Sequence, residues 1–316
     1  MDGSPDRRGA TTGKDPEDDG RQRRPRRVSL ALGVALIAFP GAALAVASGP
    51  AAPHAARRTQ PPPAPARLRA TSHRTRTSVP ARVRVPILVY HVIAQPFRDS
   101  PFPGLYVPPA QFRAQMSAVS RAGFHAVTLD QVERSWSDGP ALPPHPVVIS
   151  FDNGYRTQYT RALPVLRRLG WVGVENLQLQ GLPPSQGGLG PAEVRALVAA
   201  GWELDTQGFS HADLPSLDAA ALRHELAVAR AELRRRYGVP VNWFCYPSGE
   251  YDRAVVAEAR RAGYVGATTI LPGWAAPRED RYRLPRLRVL RGTTPAALLA
   301  EIADARLAPP PPAAHV

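Results

Sequence analysis

The sequence predicts an α/β fold built on parallel strands, and three observations lead to this prediction. Short apolar runs alternate along the chain with helical segments of about 10–15 residues, as in successive strand–helix units. Residues 146–149 are four apolar residues in a row, which is typical of a strand buried on both faces. This run ends in small and polar residues, and α/β barrels carry their chemistry at that end of a strand.

The elements follow in order from residue 85. Strands are predicted at residues 85–91, 125–129, 147–151, 171–179, 202–205, 242–246, 264–270 and 287–290. Helices are predicted at residues 111–123, 159–169, 191–200, 218–237, 253–262 and 294–305, with a further helix capped by Asp130. Pro191 in a first turn and Gly238 after a last turn are typical helix boundaries.

The positive charge of the chain is concentrated in its N-terminal extension. The formal net charge is +14, and residues 1–84 hold 16 Lys+Arg against 6 Asp+Glu, whereas the remainder holds 24 against 20. The rest of the chain is therefore not unusually basic, so we expect no nucleic-acid partner. A basic arm of this kind favours contact with an acidic surface such as anionic lipid headgroups.

Residues 28–47 carry no charge and follow an arginine-rich run at residues 21–27. The whole of residues 1–27 is polar, and we expect it to be a disordered basic segment. An apolar stretch that ends in small residues after a basic region is the pattern of a signal peptide. The same segment is long enough to be a membrane anchor. Both alternatives predict export, either by secretion or with the protein anchored on the extracytoplasmic side.

Two segments lack the composition of a folded domain. Residues 48–83 are rich in Pro, Ala and Arg and contain no acidic residue, which predicts an extended linker. Residues 307–316 form a Pro-rich tail. The globular domain is therefore predicted at residues 84–306. The single cysteine, Cys245, excludes an intramolecular disulfide framework and a cysteine-rich zinc site.

Five motifs occur in this domain in a recognisable order. They are VPILVYH at 85–91, GFHAVTL at 123–129, SFDNGY at 150–155, AGWELDTQGFSH at 200–211 and FCYPSGEYD at 244–252. The order resembles the polysaccharide deacetylase family, which is the NodB-homology domain of carbohydrate esterase family four. The resemblance covers essentially all of residues 84–306.

The resemblance implies a distorted (β/α) barrel and a metal-dependent hydrolase that removes acetyl groups from N-acetylated sugars. In that family one carboxylate is the catalytic base, and an aspartate and two histidines bind the metal. Three protein ligands leave an open position at which the metal activates a water. The metal and a backbone N–H then stabilise the oxyanion.

The match to these functional positions is incomplete. Asp152 stands at the position of the base, His211 at that of the second ligand histidine, and Ser248 where the family's oxyanion N–H lies. Asn153 replaces the ligand aspartate, and Gln207 replaces the first ligand histidine. Because zinc prefers imidazole nitrogen and carboxylate oxygen, we expect any divalent metal, zinc or similar, to be held weakly.

Two other positions also depart from the family. Cys245 stands where many members have an arginine that steadies the base. The late Leu-x-His element, which supplies a catalytic acid, has no match in residues 287–289. His91, at the end of the first strand, could stand in as an acid or be a hydrogen-bonded part of the scaffold. Tyr246 in the fifth motif is a further pocket candidate.

Two acidic residues occupy positions at which the family has apolar or small side chains. These are Glu175 and Asp205, and in an extended segment Asp205 and Gln207 point to the same side. Buried carboxyl groups need partners. One hypothesis is that both residues line a rebuilt polar pocket with Asn153, Gln207 and His211, which binds metal through a carboxylate or sugar without metal. The alternative is that both hydrogen-bond to neighbouring backbone.

The sequence thus leads to two functional hypotheses. The first is an exported N-deacetylase, a carbon–nitrogen (non-peptide) hydrolase that acts on amino-sugar polymers of the envelope or the medium. The second is a catalytically inactive domain of the same fold that binds glycan at the cell envelope. Both have a polysaccharide as partner, and the N-terminal segment allows a membrane contact in either case.

Overall fold

The computed structural model describes residues 83–100, 102–182 and 187–307. In these residues nine strands form one sheet around which the helices pack. The strands are β1 (Val85–Tyr90), β2 (His125–Ala126), β3 (Pro146–Asp152), β4 (Val174–Leu177), β5 (Glu203–Thr206), β6 (Trp243–Cys245), β7 (Gly266–Thr268), β8 (Trp274–Ala275) and β9 (Leu287–Arg288). The helices are α1 (Pro109–Arg121), α2 (Leu129–Trp136), α3 (Leu163–Arg168), α4 (Pro191–Ala199), α5 (Ala219–Arg223), α6 (Ala229–Tyr237), α7 (Arg253–Arg261) and α8 (Pro295–Leu307).

The sheet runs in the order β7-β6-β5-β4-β3-β1-β8, with β2 beside β3 and β9 beside β1. All pairs are parallel except β1 with β8. A parallel bridge joins Thr268 at the end of β7 to Leu284, and β9 follows shortly after and pairs with β1. The segment from Leu284 to β9 therefore links the two ends of the curled sheet. This is the distorted barrel that the resemblance implies.

The central strands are buried as their apolar sequences predict. Every residue of β1 and of β3 is buried. Phe151 of β3 stacks on Trp202 with the ring centroids 4.9 Å apart. Tyr90 of β1 also stacks on Phe151, with a centroid distance of 5.8 Å. Because both faces of these strands are covered, the free end of β3 is where polar side chains can reach solvent.

The structure corrects several predicted boundaries. The strand predicted at 125–129 is only His125–Ala126, because Thr128 already caps α2. The cap is Thr128 and not Asp130: the Thr128 hydroxyl accepts from Gln131 N–H, and the Gln131 side chain accepts from Thr128 N–H. This reciprocal pair is a capping box. The short antiparallel strand β8 was not predicted.

Two of the predicted helices contain a π-helical turn. The turn Gln158–Ala162 precedes α3, and the turn His224–Val228 separates α5 from α6. The helix predicted at 218–237 therefore consists of three parts, although it ends as expected at Gly238, which is left-handed with φ 69°. A π-turn inserts one residue into a helix and often occurs near a functional site.

The predictions for the extensions lie outside the described residues. These are the disordered segment 1–27, the signal peptide or anchor 28–47, all but the last residue of the linker 48–83, and residues 308–316 of the tail. Within the part of the chain that the structure describes, no helix combines the length and apolar character needed to span a bilayer.

Candidate active site

A cleft of about 790 Å³ opens at the carboxyl ends of the parallel strands. Its lining comes from the ends of β1, β3 and β9 and from the loops that follow β4, β5, β6 and β7. The lining residues are His91, Phe102, Leu105, Asp152, Asn153, Tyr155, Gln178, Gln180, Gly181, Leu182, Gln207, Ser210, His211, Tyr246, Ser248, Gly249, Ile270, Arg286 and Arg288. Seven of the predicted site residues are among them: His91, Asp152, Asn153, Gln207, His211, Tyr246 and Ser248.

Asp152 ends β3 at the floor of this cleft and is only 2 % exposed. Its two carboxylate oxygens accept from the two terminal nitrogens of Arg286, at 2.8 and 2.9 Å. Asn176, its register partner on β4, donates to Oδ1 at 2.8 Å. Burial by itself would raise the pKa of Asp152, but the charge and hydrogen bonds of Arg286 outweigh burial and lower the pKa to about 2. The carboxylate is therefore ionised at neutral pH.

Arg286 is the residue that the sequence did not identify. It lies just before β9, is 1 % exposed, and donates to the backbone oxygen of Thr269 at 2.7 Å as well as to Asp152. One terminal nitrogen is also 3.2 Å from Sγ of Cys245. An arginine therefore meets the carboxylate from another part of the chain, while Cys245 stands at the position at which the resemblance places an arginine in many members of the family. Burial raises the pKa of the Cys245 thiol, so it stays protonated.

The three predicted ligand positions come together, but their donor atoms do not fit a zinc site. The backbone N–H of Asn153 donates to Oε1 of Gln207 at 3.0 Å. The NH₂ nitrogen of that amide has no lone pair available for a cation, so Gln207 could bind one only through the second lone pair of Oε1, which carries no charge. His211 is then the one strong zinc ligand of the three. No group of three or more His, Cys, Asp or Glu side chains that could hold a metal ion occurs in the described residues.

The backbone at these positions is held by specific contacts. Asn153 has φ 76° and His211 has φ 65°, both in the left-handed region. Asparagine tolerates this conformation better than most residues, which suits the turn after β3. Glu225, in the second π-turn, accepts from the N–H groups of Phe209 and Ser210 at 2.8 and 3.0 Å. This buried carboxylate holds the loop that carries His211, and no motif in the sequence indicates this role.

His91 stands beside the carboxylate of Asp152. Its Nε2 is 4.0 Å from Oδ2 of Asp152, and its Nδ1 is buried without a partner among the described residues. Burial lowers the pKa of His91 to about 4, against the opposing effect of Asp152. The imidazole is therefore neutral at pH 7, so it can accept a proton more readily than it can donate one.

Ser248 and Tyr246 line the cleft from the segment that follows β6. Ser248 is exposed and has φ 54° within the short 3₁₀ turn Pro247–Gly249. Tyr246 is buried, and its hydroxyl donates to the backbone oxygen of Tyr282 at 3.0 Å. Burial raises the pKa of that hydroxyl, so it stays protonated, and its one proton is used in the hydrogen bond to Tyr282.

Glu175 and Asp205 are not part of the cleft lining. Oδ1 of Asp205 accepts from the backbone N–H groups of Asn242 and Trp243 at 3.1 and 2.9 Å, as the alternative interpretation expected. Glu175 pairs in register with Phe151, so it shares a face with that ring rather than with Asp152. Burial, and then the nearby charge of Asp152, raise the pKa of Glu175 well above its ordinary value, so this carboxyl is neutral. The rebuilt pocket therefore has fewer members than hypothesised.

The chain matches known proteins over this same region. Residues 140–267 match the family model described as polysaccharide deacetylase. Over 232 residues, which are 73% of this chain and 80% of the relative, it is 25% identical to the Bacillus subtilis (strain 168) protein YxkH, which is named as a polysaccharide deacetylase. A stretch of 62 residues, 20% of this chain and 9% of the relative, is 34% identical to the poly-beta-1,6-N-acetyl-D-glucosamine N-deacetylase of Escherichia coli (strain K12).

A solved structure has the same fold. The Streptococcus pyogenes deacetylase PplD, in complex with acetate, aligns with a TM-score of 0.65 and 23% identity over 70% of this chain and 99% of that chain. The curled parallel sheet described above is thus the distorted (β/α) barrel of the deacetylases, as predicted. The family model over residues 140–267, the relatives and the fold therefore agree in their similarity to polysaccharide deacetylases.

Proposed function

We propose that this domain binds polymers of N-acetylated amino sugars in the cleft and hydrolyses the acetyl amide beside Asp152. The observation that carries the proposal is the ionised, buried carboxylate of Asp152 on the floor of a 790 Å³ cleft, at the carboxyl end of a parallel strand. Barrel enzymes place their reacting groups at this end. The amino-sugar substrate of one partial relative supports the choice of polymer.

Hydrolysis of the acetyl amide needs a water and a group that accepts its proton. A water adds to the acetyl carbonyl, and its proton passes to a nearby base and then to the amine nitrogen that leaves, which gives acetate and a free amino group. Asp152 is the base by position, but its pKa of about 2 makes it weak. General-base catalysis works best when the pKa lies near the operating pH, so we expect slow turnover.

The first prediction is therefore measured as acetate release from N-acetylglucosamine oligomers. The wild-type protein should release acetate, and Asp152→Asn should abolish release because the carboxylate is lost. The matched control is Asp304→Asn, which removes the same charge from an exposed position on α8 and should leave the rate unchanged. Release by Asp152→Asn at the wild-type rate would contradict the proposal.

A folding check accompanies this variant, because Asp152→Asn leaves the charge of Arg286 buried without its partner. The double variant Asp152→Asn/Arg286→Gln places two neutral side chains in the same space. It should be folded by circular dichroism and should release no acetate. A folded double variant that is active would equally contradict the role of Asp152.

A specific observation favours a second candidate, which is glycan binding without hydrolysis. Oε1 of Gln207, the one atom of that side chain that could bind a metal, already accepts from the backbone N–H of Asn153 at 3.0 Å. In this case the oligomers bind, but acetate is not released, and neither added Zn²⁺ or Co²⁺ nor a chelator changes that result.

Because the N-terminal segment 28–47 has the pattern of an export signal, we propose that either activity takes place at the cell envelope or outside the cell.

A further inference from the structure

The charges of the cleft do not balance among the described residues. Asp152 is the one acidic side chain of the described lining, and both of its oxygens are occupied by Arg286. Arg288 also lines the cleft, and its side chain is exposed. Its guanidinium makes no hydrogen bond or ion pair with a described residue. The cleft thus carries one neutralised ion pair and one arginine that is available to a ligand.

An exposed aromatic ring lies in the same lining. Phe102 is 77 % exposed and has φ 52° in the left-handed region, although it is a bulky residue. Both features are unusual for a phenylalanine in a folded domain, where such rings are normally buried and such a φ is strained. An exposed ring in a cleft provides an apolar face on which a sugar ring can stack.

Phe102 and Arg288 belong to one wall of the cleft. The backbone N–H of Arg291 donates to the oxygen of Gly104 at 2.8 Å, which fastens the turn after Phe102 to the segment after β9. Arg288 itself lies in β9, where it pairs in register with Val89 of β1. The N–H of Val92, just after β1, donates to the oxygen of Leu105 at 3.3 Å. The segments that carry Phe102 and Arg288 are therefore joined to each other and to β1 by backbone hydrogen bonds.

We propose that this wall is a subsite for a sugar residue that carries a negative charge. Phe102 stacks on the ring, and the Arg288 guanidinium pairs with a carboxylate or a phosphate, both of which match its planar donors. The inference rests on the proposed function in that it needs glycan binding, but it does not need hydrolysis. It names the substrate class as an acidic, N-acetylated polysaccharide rather than a neutral one.

The test compares the affinity of the full-length protein for three oligosaccharides of equal length. They are a neutral N-acetylglucosamine oligomer, an oligomer that alternates N-acetylglucosamine with a hexuronic acid, and a phosphorylated N-acetylglucosamine oligomer. We expect at least one anionic oligomer to bind about tenfold more tightly than the neutral one, and this preference to decrease at high salt. Which anionic oligomer binds more tightly distinguishes a carboxylate from a phosphate.

Two variants separate the parts of the subsite. Arg288→Gln should remove the preference for the anionic oligomer and leave the affinity for the neutral one unchanged. Phe102→Ala should lower the affinity for all three by a similar factor, because stacking does not depend on charge. The control Arg113→Gln removes the same charge from an exposed position on α1 and should change none of these affinities.

Equal affinity of the wild-type protein for neutral and anionic oligomers would overturn the inference, and so would an anionic preference that persists in Arg288→Gln. Binding to none of the three would overturn it as well. Acetate release is measured separately, so a protein that prefers anionic glycan but releases no acetate supports this subsite and contradicts only the proposed hydrolysis.

Discussion

At the scale of single residues, the ion pair of Asp152 with Arg286 decides the electrostatics of the cleft. Both side chains are almost fully buried, and they meet through two hydrogen bonds of 2.8 and 2.9 Å. A buried pair of this kind is weak evidence for net stability, but removing one partner leaves an unpaired charge in a dry environment. The pair is therefore expected to act as a unit.

The second prediction follows from this pairing. Arg286→Gln should lower the free energy of unfolding by about 3–5 kcal/mol, because the Asp152 carboxylate then stays buried without its counter-charge. The neutral double variant Asp152→Asn/Arg286→Gln should lose less than the sum of the two single variants. Urea denaturation of the four proteins measures this coupling in a double-mutant cycle. Additive losses would show that the two side chains do not depend on each other.

Sequence reasoning reached Asp152 but not Arg286, and the reason is distance along the chain. Motif position indicated the carboxylate, and it placed Cys245 where many members of the family have an arginine. Arg286 lies 134 residues from Asp152 and 41 from Cys245. A local sequence pattern cannot show that so remote an arginine pairs with Asp152, because only the closure of the barrel brings the segment before β9 to the end of β3.

At the scale of elements, the turn after β3 determines where the site residues point. Gly154 has φ 81°, and a Cβ at this position would lie 2.4 Å from Cδ1 of Leu177. Leu177 is only 6 % exposed and belongs to a packed hydrophobic cluster, so its side chain has little room to move. The turn therefore needs glycine both for its backbone conformation and for the approach of β4.

The third prediction separates these two requirements. Gly154→Ala should destabilise the domain by about 1–2 kcal/mol for the left-handed backbone and by about 1–3 kcal/mol more for the clash with Leu177. Gly170→Ala is the matched control, because Gly170 has φ 69° but no atom within 4 Å of the added Cβ. Thermal or urea unfolding of both variants gives the comparison. Equal losses in the two would mean that the contact with Leu177 has no effect.

Strand pairing explains why one element-level hypothesis failed. The resemblance marked Glu175 and Asp205 as unusual for the family, but it did not reveal their neighbours. Asp205 accepts from the backbone of β6 and the residue before it, while Glu175 shares a face with Phe151. Which groups surround a strand residue depends on the register with the adjacent strands, and register is a tertiary property.

At the scale of the whole molecule, a second group of buried carboxyls lies away from the cleft. Glu203 and Asp205 are two residues apart on β5, so their side chains share a face of the sheet, and each has one buried oxygen without a hydrogen-bond partner among the described residues. A proton shared between the two carboxyls would supply the missing hydrogen bond. Burial raises the pKa of Glu203 from 4.5 to about 7, and it raises the pKa of Asp205 as well. Asp130, nearby, adds to the negative charge.

The fourth prediction concerns the effect of this pair on stability. Between about pH 4.5 and pH 7 the folded state binds a proton that the unfolded state has released, so a rise in pH favours unfolding. The free energy of unfolding should therefore fall through this window, by up to about 1.4 kcal/mol per pH unit for one proton. Below pH 4.5 the contribution is fully present. Urea denaturation at a series of pH values measures it.

Glu203→Gln is the control for this prediction. A glutamine can still accept from the N–H of Asp130, as Glu203 does at 2.8 Å, and it can donate permanently to Asp205. The fall in stability between pH 4.5 and pH 7 should be less steep in this variant by the share of one proton, and the remaining fall comes from other buried carboxyls such as Glu175. If it is as steep as in the wild-type protein, the pair does not share the proton.

The sequence alone determined the alternation of strands and helices and the buried character of β1 and β3. It also carried the family resemblance that predicted a common site for the residues Asp152, Asn153, Gln207, His211 and Ser248. These follow from local pattern, since apolar periodicity and motif order are properties of the chain. The tertiary structure decided the arginine that meets Asp152, the orientation of the Gln207 amide, and the lone guanidinium of Arg288 in the cleft. Each of these depends on segments that are distant in sequence and adjacent only in the closed barrel.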